Sequence, residues 1–211
     1  MDILTEISEN LQKGKAKIVK ELVGQAIEQG IPAGEILQKG LMSGMDVVGE
    51  KFKNNQVYVP EVLVAARAMN MGAALLKPLL SDGEGNSAGK VCIGTVKGDL
   101  HDIGKNLVAM MIESAGFEVI DLGVDVPAEK FVEAIKSNPD CKVVGLSALL
   151  TTTMPAMKDT VAAIIDAGLK SQVKIMVGGA PITQEFADEI GADAYTADAA
   201  SAAQKAKELV A

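Results

Sequence analysis

Apolar residues in the first part of the chain recur at intervals of three and four, the spacing that places side chains on one face of an α-helix. A Gly/Pro break at residues 30–32 and a polar turn at residues 53–56 separate the later segments, and Pro60 suits the first turn of a helix. We therefore predict four helices in an up-down bundle. Their apolar faces are Ile3, Ile7 and Leu11; Ile18, Leu22, Ala26 and Ile27; Ile36, Leu37, Leu41, Met45, Val48 and Phe52; and Val62, Ala66, Met69, Ala73 and Leu76.

The pattern changes after a Gly- and Ser-rich stretch at residues 81–89. Short apolar runs follow at residues 90–96, 118–122, 142–147 and 173–177, with a weak fifth at 194–196. They alternate with helical segments at residues 105–115, 128–136, 154–167, 184–190 and 199–210. Such alternation is typical of a parallel sheet covered on both faces, which binds ligands at the carboxyl ends of its strands. The predicted fold is α/β: a four-helix bundle (residues 1–82), a linker (83–89) and a five-stranded, doubly wound, Rossmann-like or flavodoxin-like domain (90–211).

Composition and charge narrow the range of partners. The formal net charge of −8 argues against nucleic acid and anionic membrane surfaces. Cys92 and Cys141 lie in or beside apolar runs without metal-binding spacing, so we expect buried thiols in a reducing compartment. The first residues lack the basic-then-apolar order of a signal peptide, and no apolar run approaches the ~20 residues that span a bilayer. We expect a cytoplasmic protein without a membrane partner.

His101 is the only histidine in 211 residues, and it lies in the loop that follows the first predicted strand. Asp99 stands two positions before it, so in an extended loop the two side chains point to similar sides. A carboxylate that accepts a hydrogen bond from one ring nitrogen fixes the tautomer and raises the basicity of the other nitrogen. Gly98 and Gly104 allow a close backbone approach to a large ligand. This pattern indicates a metal-ligating histidine.

Other chemistries fit that loop poorly. One histidine and two separated cysteines do not supply the four ligands of a protein zinc site. The loop lacks the Gly-Lys-Ser/Thr ending of a phosphate-binding loop and the spacing of the dinucleotide fingerprint. A histidine near a helix start can also serve only as a cap or satisfy a core carbonyl, and this alternative stays open.

Three motifs at the ends of the first, third and fourth predicted strands resemble the signature of cobalamin-binding domains; they are Asp99-x-His101-x-x-Gly104, Ser147-x-Leu149 and Gly178-Gly179. The first segment is also similar to the cobalamin-binding region of methionine synthase. The resemblance implies that His101 is the lower axial ligand of cobalt, in place of the cofactor's own benzimidazole. It implies that Asp99 hydrogen-bonds the far nitrogen of His101. Thr153 would complete this relay, where family members often carry Ser.

The same resemblance implies which residues contact the cofactor. In the first loop they are Val96, Gly98, Asp99, Leu100, His101, Asp102, Ile103 and Gly104. The nucleotide tail would run past Ser147, Leu149, Thr151, Gly178 and Gly179. The two glycines would let the tail pass close to the backbone. The residues that would border the buried base are Tyr195, Ala197 and Asp198.

The helical part, at residues 44–52 and 57–69, resembles the helical cap of methylcobalamin proteins. In that family a Phe and a Leu cover the methyl group on the upper face of the corrin. Phe52 matches the Phe, Val59 stands at the Leu position, and Met45 belongs to the same cap. Since apolar stripes on helices are core by default, the alternative is that Phe52 and Val59 only fill the bundle core.

Together the resemblances imply a corrinoid methyl carrier, as found in methyltransferase systems for methylamines, methanol or methoxylated aromatics. It would accept a methyl group on cobalt(I) from a substrate-specific methyltransferase and deliver it to a second methyltransferase, with tetrahydrofolate or a thiol as acceptor. The expected cofactor is cobalamin or another corrinoid, as methylcobalamin. A reductive activator of the corrinoid is a further expected partner, and the chain alone is expected to be non-catalytic.

Three other functions are considered. They are a cobalamin-dependent sensor or regulator, the cobalamin subunit of an adenosylcobalamin mutase, and a flavodoxin-like module for another ligand. The acidic net charge disfavours a DNA-binding regulator. Adenosylcobalamin mutases usually lack the helical cap, and the three motifs together disfavour another ligand.

Overall fold

The structure is a computed structural model that describes residues 2–80 and 88–211. It divides into two compact units, one helical and one built on a β-sheet. Within the predicted linker, residues 83–87 lie outside the described residues.

The helical unit contains the four predicted helical segments. They are Ile3–Gln12, Ala16–Glu28, a continuous segment made of Ala33–Glu35, Ile36–Met42 and Ser43–Lys53, and Val59–Leu76. The stretch Ile36–Met42 is a π-helix, where the sequence predicted a regular helix. Pro60 lies in the first turn of the last helix, as expected, and the carboxylate of Glu61 accepts a hydrogen bond from the Tyr58 N–H at 3.0 Å.

The buried face of the second helix differs from the predicted one. Val19, Val23 and Ala26 are buried, whereas Ile18 is 39% exposed. The two candidate stripes are both apolar and lie one residue, or about 100°, apart, so the pattern alone does not choose between them. Packing between helices decides which stripe is buried. A Cβ on Gly72 would lie 3.3 Å from a Val19 methyl, so the glycine leaves room for the Val19 side of the second helix.

The last helix of the bundle, Val59–Leu76, is long and apolar enough to cross a membrane by length and composition alone. The core helix of a soluble protein passes the same test. Along one side of this helix Val62, Ala66, Met69 and Leu76 are buried. These features describe a core helix and give no definite membrane span.

Five parallel strands form one sheet in the order β2-β1-β3-β4-β5. The strands are β1 (Lys90–Thr95), β2 (Glu118–Asp121), β3 (Cys141–Ser147), β4 (Lys174–Gly178) and β5 (Ala194–Tyr195). The helices that follow them are Ile103–Ser114, Ala128–Ser137, Met154–Asp166, Gln184–Ile190 and Ala199–Val210. The predicted α/β class and the doubly wound parallel sheet are confirmed, with element ends within two residues of the predicted ones.

The core of the sheet unit explains the apolar strands. Cys92 and Val144 face one side, where they pack with Phe131, Val161 and Ile190 from the covering helices. Both cysteines are buried free thiols, as predicted, and the Cys92 and Cys141 sulfurs lie 3.4 Å apart. Strands buried on both faces read as continuous apolar runs, which is why they were visible in the sequence.

The strand order creates one point that matters for function. From β1 the chain moves to β2 on one side and then returns to β3 on the other. Thr95 and Ser147, at the carboxyl ends of β1 and β3, are paired neighbours. The loops after these two strands therefore start side by side at the topological switch point, where open α/β sheets bind their ligands.

Candidate functional site

Asp99 and His101 form a hydrogen-bonded pair in the loop after β1. The imidazole Nδ1 lies 2.7 Å from Asp99 Oδ1, and the His101 backbone N–H donates to the same oxygen at 3.1 Å. The Asp99 side chain is completely buried, whereas the His101 side chain is 51% exposed. The carboxylate is thus enclosed by protein, and the imidazole is presented at the surface.

The second oxygen of Asp99 joins this loop to the loop after β3. Oδ2 accepts hydrogen bonds from the Leu149 N–H at 2.8 Å, the Leu150 N–H at 3.2 Å and the Thr153 hydroxyl at 2.8 Å. Thr153 belongs to a short 3₁₀ turn, Thr151–Thr153, that opens the next helix. Two segments about fifty residues apart in the sequence therefore meet on one carboxylate.

The electrostatics of Asp99 follow from these donors. Burial raises the pKa of its carboxyl, but hydrogen bonds from the His101 ring, the Leu149 N–H, the His101 N–H and the Thr153 hydroxyl outweigh burial and lower the pKa below its ordinary value. Asp99 is therefore ionised and can only accept. The hydrogen between Asp99 and His101 must then reside on Nδ1, which leaves the lone pair of Nε2 available to a metal.

Large apolar side chains are exposed in the two loops that meet at Asp99 and in the helix turn that follows the first of them. Leu100 and Ile103 are 71% and 82% exposed, and Leu149 and Leu150 are also exposed. At Gly104 an added Cβ would meet no atom within 4 Å. Exposed apolar side chains in loops next to a histidine suit a large ligand that is itself largely apolar.

The donor set fits a metal that brings most of its own ligands. Among residues 2–80 and 88–211, no group of three or more His, Cys, Asp or Glu side chains is placed to hold an ion. The protein offers one exposed imidazole with an ordered carboxylate behind it, which is the usual support of a metal-bound histidine. A cobalt ion that is already held in a corrin ring would need few protein ligands, and the residues present fit this group, with His101 as the residue that would hold the metal.

The glycine pair after β4 has a structural reason that sequence reasoning missed. Gly179 has a φ of +127°, and a Cβ there would lie 1.8 Å from the Ala148 carbonyl oxygen. A Cβ on Gly178 would lie 3.2 Å from the Thr196 carbonyl oxygen. Close packing of neighbouring strand ends thus requires Gly179, whatever the course of a nucleotide tail.

The other residues assigned to the cofactor lie in the loops at the same edge of the sheet. Ser147 ends β3, Thr151 is exposed, and Tyr195 ends β5 next to Val177. Asp198 caps the last helix by accepting from the Ser201 N–H at 2.9 Å, and Asp102 accepts from the Asn106 side chain at 3.2 Å. Val96 is buried in a single bridge to Val126, and Ala197 is exposed. Their contacts with a cofactor stay a prediction.

In the helical unit, the three predicted cap residues differ in exposure. Met45 is buried with 2% exposure and belongs to the bundle core. Phe52 is half-buried and Val59 is 38% exposed. A role for these residues in covering a methyl group stays a prediction.

Sequence reasoning missed four groups that hold the site. They are the backbone N–H groups of Leu149 and Leu150, the buried Thr95 hydroxyl, which donates to the His101 carbonyl oxygen at 2.9 Å, and Asp125 in the loop after β2. Residue types do not reveal which backbone N–H groups act as donors, because every residue except proline has one. Asp125 and Thr95 could have been suspected only from their place at the same sheet edge.

Comparison with known families agrees with this site. Two family models, each described as a B12 binding domain, match residues 89–206 and residues 3–77. The first covers more than half of the chain, and it spans the loops of Asp99, His101 and Thr153. The chain belongs to the family of B12-binding proteins.

Individual relatives narrow the group to corrinoid proteins. The chain is 47% identical to dimethylamine corrinoid protein 1 of Methanosarcina acetivorans, over 91% of this chain and 92% of the relative. It is 42% identical to the trimethylamine corrinoid protein of Methanosarcina barkeri, over 98% and 95%. Among solved structures, the methanol:cobalamin methyltransferase complex of Methanosarcina barkeri contains a chain with a TM-score of 0.84 and 30% identity, over 99% of this chain and 79% of that one.

Proposed function

We propose that this protein is a corrinoid methyl carrier. It binds a cobalt corrinoid with His101 as the lower ligand, receives a methyl group from a substrate-specific methyltransferase and delivers it to a second methyltransferase. The observation that carries the proposal is the buried, ionised Asp99 that holds the exposed imidazole of His101 by Nδ1. Relatives named as methylamine corrinoid proteins support the same role.

The bound corrinoid would supply the cobalt that carries the methyl group. The chain's residues would do the rest. His101 Nε2 would ligate the cobalt, Asp99 would orient the ring and make it a stronger donor, and the exposed leucines of the two loops would exclude water around His101.

Thr153 would support the Asp99–His101 pair by donating to Asp99. Its single hydroxyl hydrogen faces two acceptors, Asp99 Oδ2 at 2.8 Å and the Leu150 carbonyl oxygen at 2.9 Å. By donating to Asp99 Oδ2, the hydroxyl would favour the ionised carboxylate that holds the His101 ring.

The proposal extends to domains, location and partners. Residues 1–82 form a helical domain that shields the methyl group between transfers, residues 83–89 form the linker, and residues 90–211 form the corrinoid-binding domain. The cofactor is in the methylcobalamin form during turnover, and the protein is cytoplasmic. The acceptor methyltransferase acts on tetrahydrofolate or a thiol, and a reductive activator returns oxidised corrinoid to the active state.

Absorption spectroscopy tests the proposal directly. The corrinoid-free protein, reconstituted with methylcobalamin, is expected to show the spectrum of a corrinoid whose own base is displaced and replaced by histidine. His101→Ala should abolish that histidine-ligated spectrum. Lys97→Ala, an exposed neighbour in the same loop, serves as the matched control and should leave it unchanged. A wild-type protein that binds no corrinoid, or a His101→Ala spectrum equal to that of the wild type, would contradict the proposal.

A further inference from the structure

Asp125, in the loop after β2, makes two hydrogen bonds to the loop that carries Asp99 and His101. Its Oδ1 accepts from the Gly98 N–H at 2.7 Å. Its own backbone N–H donates to the Asp99 carbonyl oxygen at 2.9 Å. One residue thus holds the peptide groups on both sides of the Gly98–Asp99 segment.

The backbone conformation at this position is unusual for a residue with a side chain. Asp125 has a φ of +52°, in the left-handed region, and Gly98 opposite it has a φ of +83°. Asp tolerates the left-handed region better than most residues because its short polar side chain bonds locally. Here the side chain bonds to another loop, so the conformation is maintained by its contact with Gly98.

The two loops are also joined on the strand side of Asp125. The Thr95 N–H donates to the Gly123 carbonyl oxygen and the Val126 N–H donates to the Thr95 carbonyl oxygen, each at 3.0 Å. The bonds of Asp125 continue this ladder past the end of β1. Its carboxylate ties down Gly98, the last residue before Asp99.

The position of this segment decides whether Asp99 can meet its donors. Asp99 is completely buried and accepts from two loops, with distances between 2.7 and 3.2 Å. Hydrogen bonds weaken steeply outside this range. A shift of the Gly98–Asp99 backbone by about 1 Å would therefore break the hydrogen bond between Asp99 and the His101 imidazole.

We infer that Asp125 is a positioning residue for metal ligation by His101. The inference rests on the proposed corrinoid function, but Asp125 acts through the backbone of Gly98 and Asp99 and is not assigned a contact with the cofactor. It fixes the ligand loop before the corrinoid arrives, so that little ordering is needed on binding.

Three substitutions separate the carboxylate from the backbone. Asp125→Gly removes the acceptor but keeps the freedom to adopt positive φ, Asp125→Asn keeps both an acceptor and tolerance of positive φ, and Asp125→Ala removes the acceptor and adds strain. Val124→Gly is the matched control, because it loosens the same loop without removing the bond to Gly98.

The first readout uses protein without corrinoid. Amide hydrogen exchange of Gly98, followed by NMR, should accelerate about tenfold or more in Asp125→Gly, since this amide would lose its hydrogen bond to the Asp125 carboxylate. It should stay near the wild-type rate in Asp125→Asn and Val124→Gly. Unchanged exchange of Gly98 in Asp125→Gly would overturn the inference.

The second readout follows ligation. Corrinoid dissociation should be about tenfold faster in Asp125→Gly, and the nitrogen splitting from His101 in the cobalt(II) EPR spectrum should weaken, with Asp125→Asn restoring both. Wild-type ligation in Asp125→Gly, or an equal loss in Val124→Gly, would overturn the positioning role. If the wild-type protein bound no corrinoid, the proposed function would fail instead, and the exchange of Gly98 would still report whether the bond exists.

Discussion

At the scale of single residues, the site depends on a carboxylate that is surrounded by donors. Asp99→Asn would turn one acceptor oxygen into an NH₂ group that faces donors, either at the His101 ring or at the Leu149 and Leu150 N–H groups. The free energy of unfolding of the corrinoid-free protein should fall by about 1–3 kcal/mol. Urea unfolding at pH 7 measures this, with the exposed Asp102→Asn as a control that should stay close to wild type.

The same substitution has a defined pH dependence. The pKa of Asp99 is lower in the folded protein than in the unfolded chain, so its stabilisation is fully present above the unfolded value of about 3.9 and is lost as the pH falls below it. The difference in unfolding free energy between wild type and Asp99→Asn should therefore narrow between pH 5 and pH 3, both values being about one unit from that reference. A difference that stays constant over this range would contradict the assignment of an ionised Asp99.

Residues whose side chains act in the site were predictable from the sequence, whereas the contacts made by backbone groups were not. Asp99, His101 and Thr153 were named from their motif, and the structure brings all three within hydrogen-bond distance. The Leu149 N–H donates to Asp99 because of the backbone conformation after β3, and the residue types there do not reveal that conformation. The role of Asp125 was not predicted for a related reason, since its partner is a glycine N–H 27 residues away.

At the scale of secondary-structure elements, the spacing of apolar residues was sufficient to predict the type and order of the helices and strands. Strands buried on both faces and helices with one apolar stripe differ clearly in sequence, so the α/β class followed. Finer features depended on packing between elements. The second helix turned its Val19 side toward Gly72, and Ile36–Met42 adopted a π-helix that no periodicity indicated.

The glycines at the ends of elements allow structure and binding to be separated. Gly104→Ala, in the first turn of a helix with open space around the new Cβ, should leave the free energy of unfolding unchanged or slightly higher. If Gly104 admits the corrinoid, affinity should fall about tenfold, since overpacking costs about 1–3 kcal/mol. Urea unfolding and spectroscopic titration measure the two effects, and unchanged affinity would remove Gly104 from the site.

Gly179→Ala is the structural counterpart. The new Cβ would collide with the Ala148 carbonyl at a backbone φ of +127°. The free energy of unfolding should therefore fall by about 3 kcal/mol or more. Gly123→Ala is the matched control, with a φ of +87° but no atom within 4 Å, and should show only the cost of backbone strain, about 1–3 kcal/mol. Equal losses in the two variants would show that strain, not the contact with Ala148, decides the requirement for Gly179.

At the scale of the whole molecule, the family match and the sheet topology both point to the loops after β1 and β3 as the ligand site. Family models cover both the helical and the sheet regions. The switch point of the sheet brings together two loops that a linear motif search sees as separate. An acidic protein with a single histidine suits the proposed carrier, which would leave substrate chemistry to its partners.

A carrier that meets two methyltransferases must shield its methyl group and then expose it. From sequence composition alone we expect the Gly- and Ser-rich stretch at residues 81–89, of which 81–87 lie outside the described residues, to permit this change, whereas proline-rich segments are stiff. Replacing residues 81–89 by a proline-rich segment of equal length should slow methyl transfer to both partners but leave corrinoid affinity and the histidine-ligated spectrum intact. A scrambled version of the native segment is the control and should transfer at the wild-type rate. Stopped-flow measurement of both half-reactions decides: equal rates for the stiff and the scrambled linkers would show that transfer needs no motion of the helical domain about this segment.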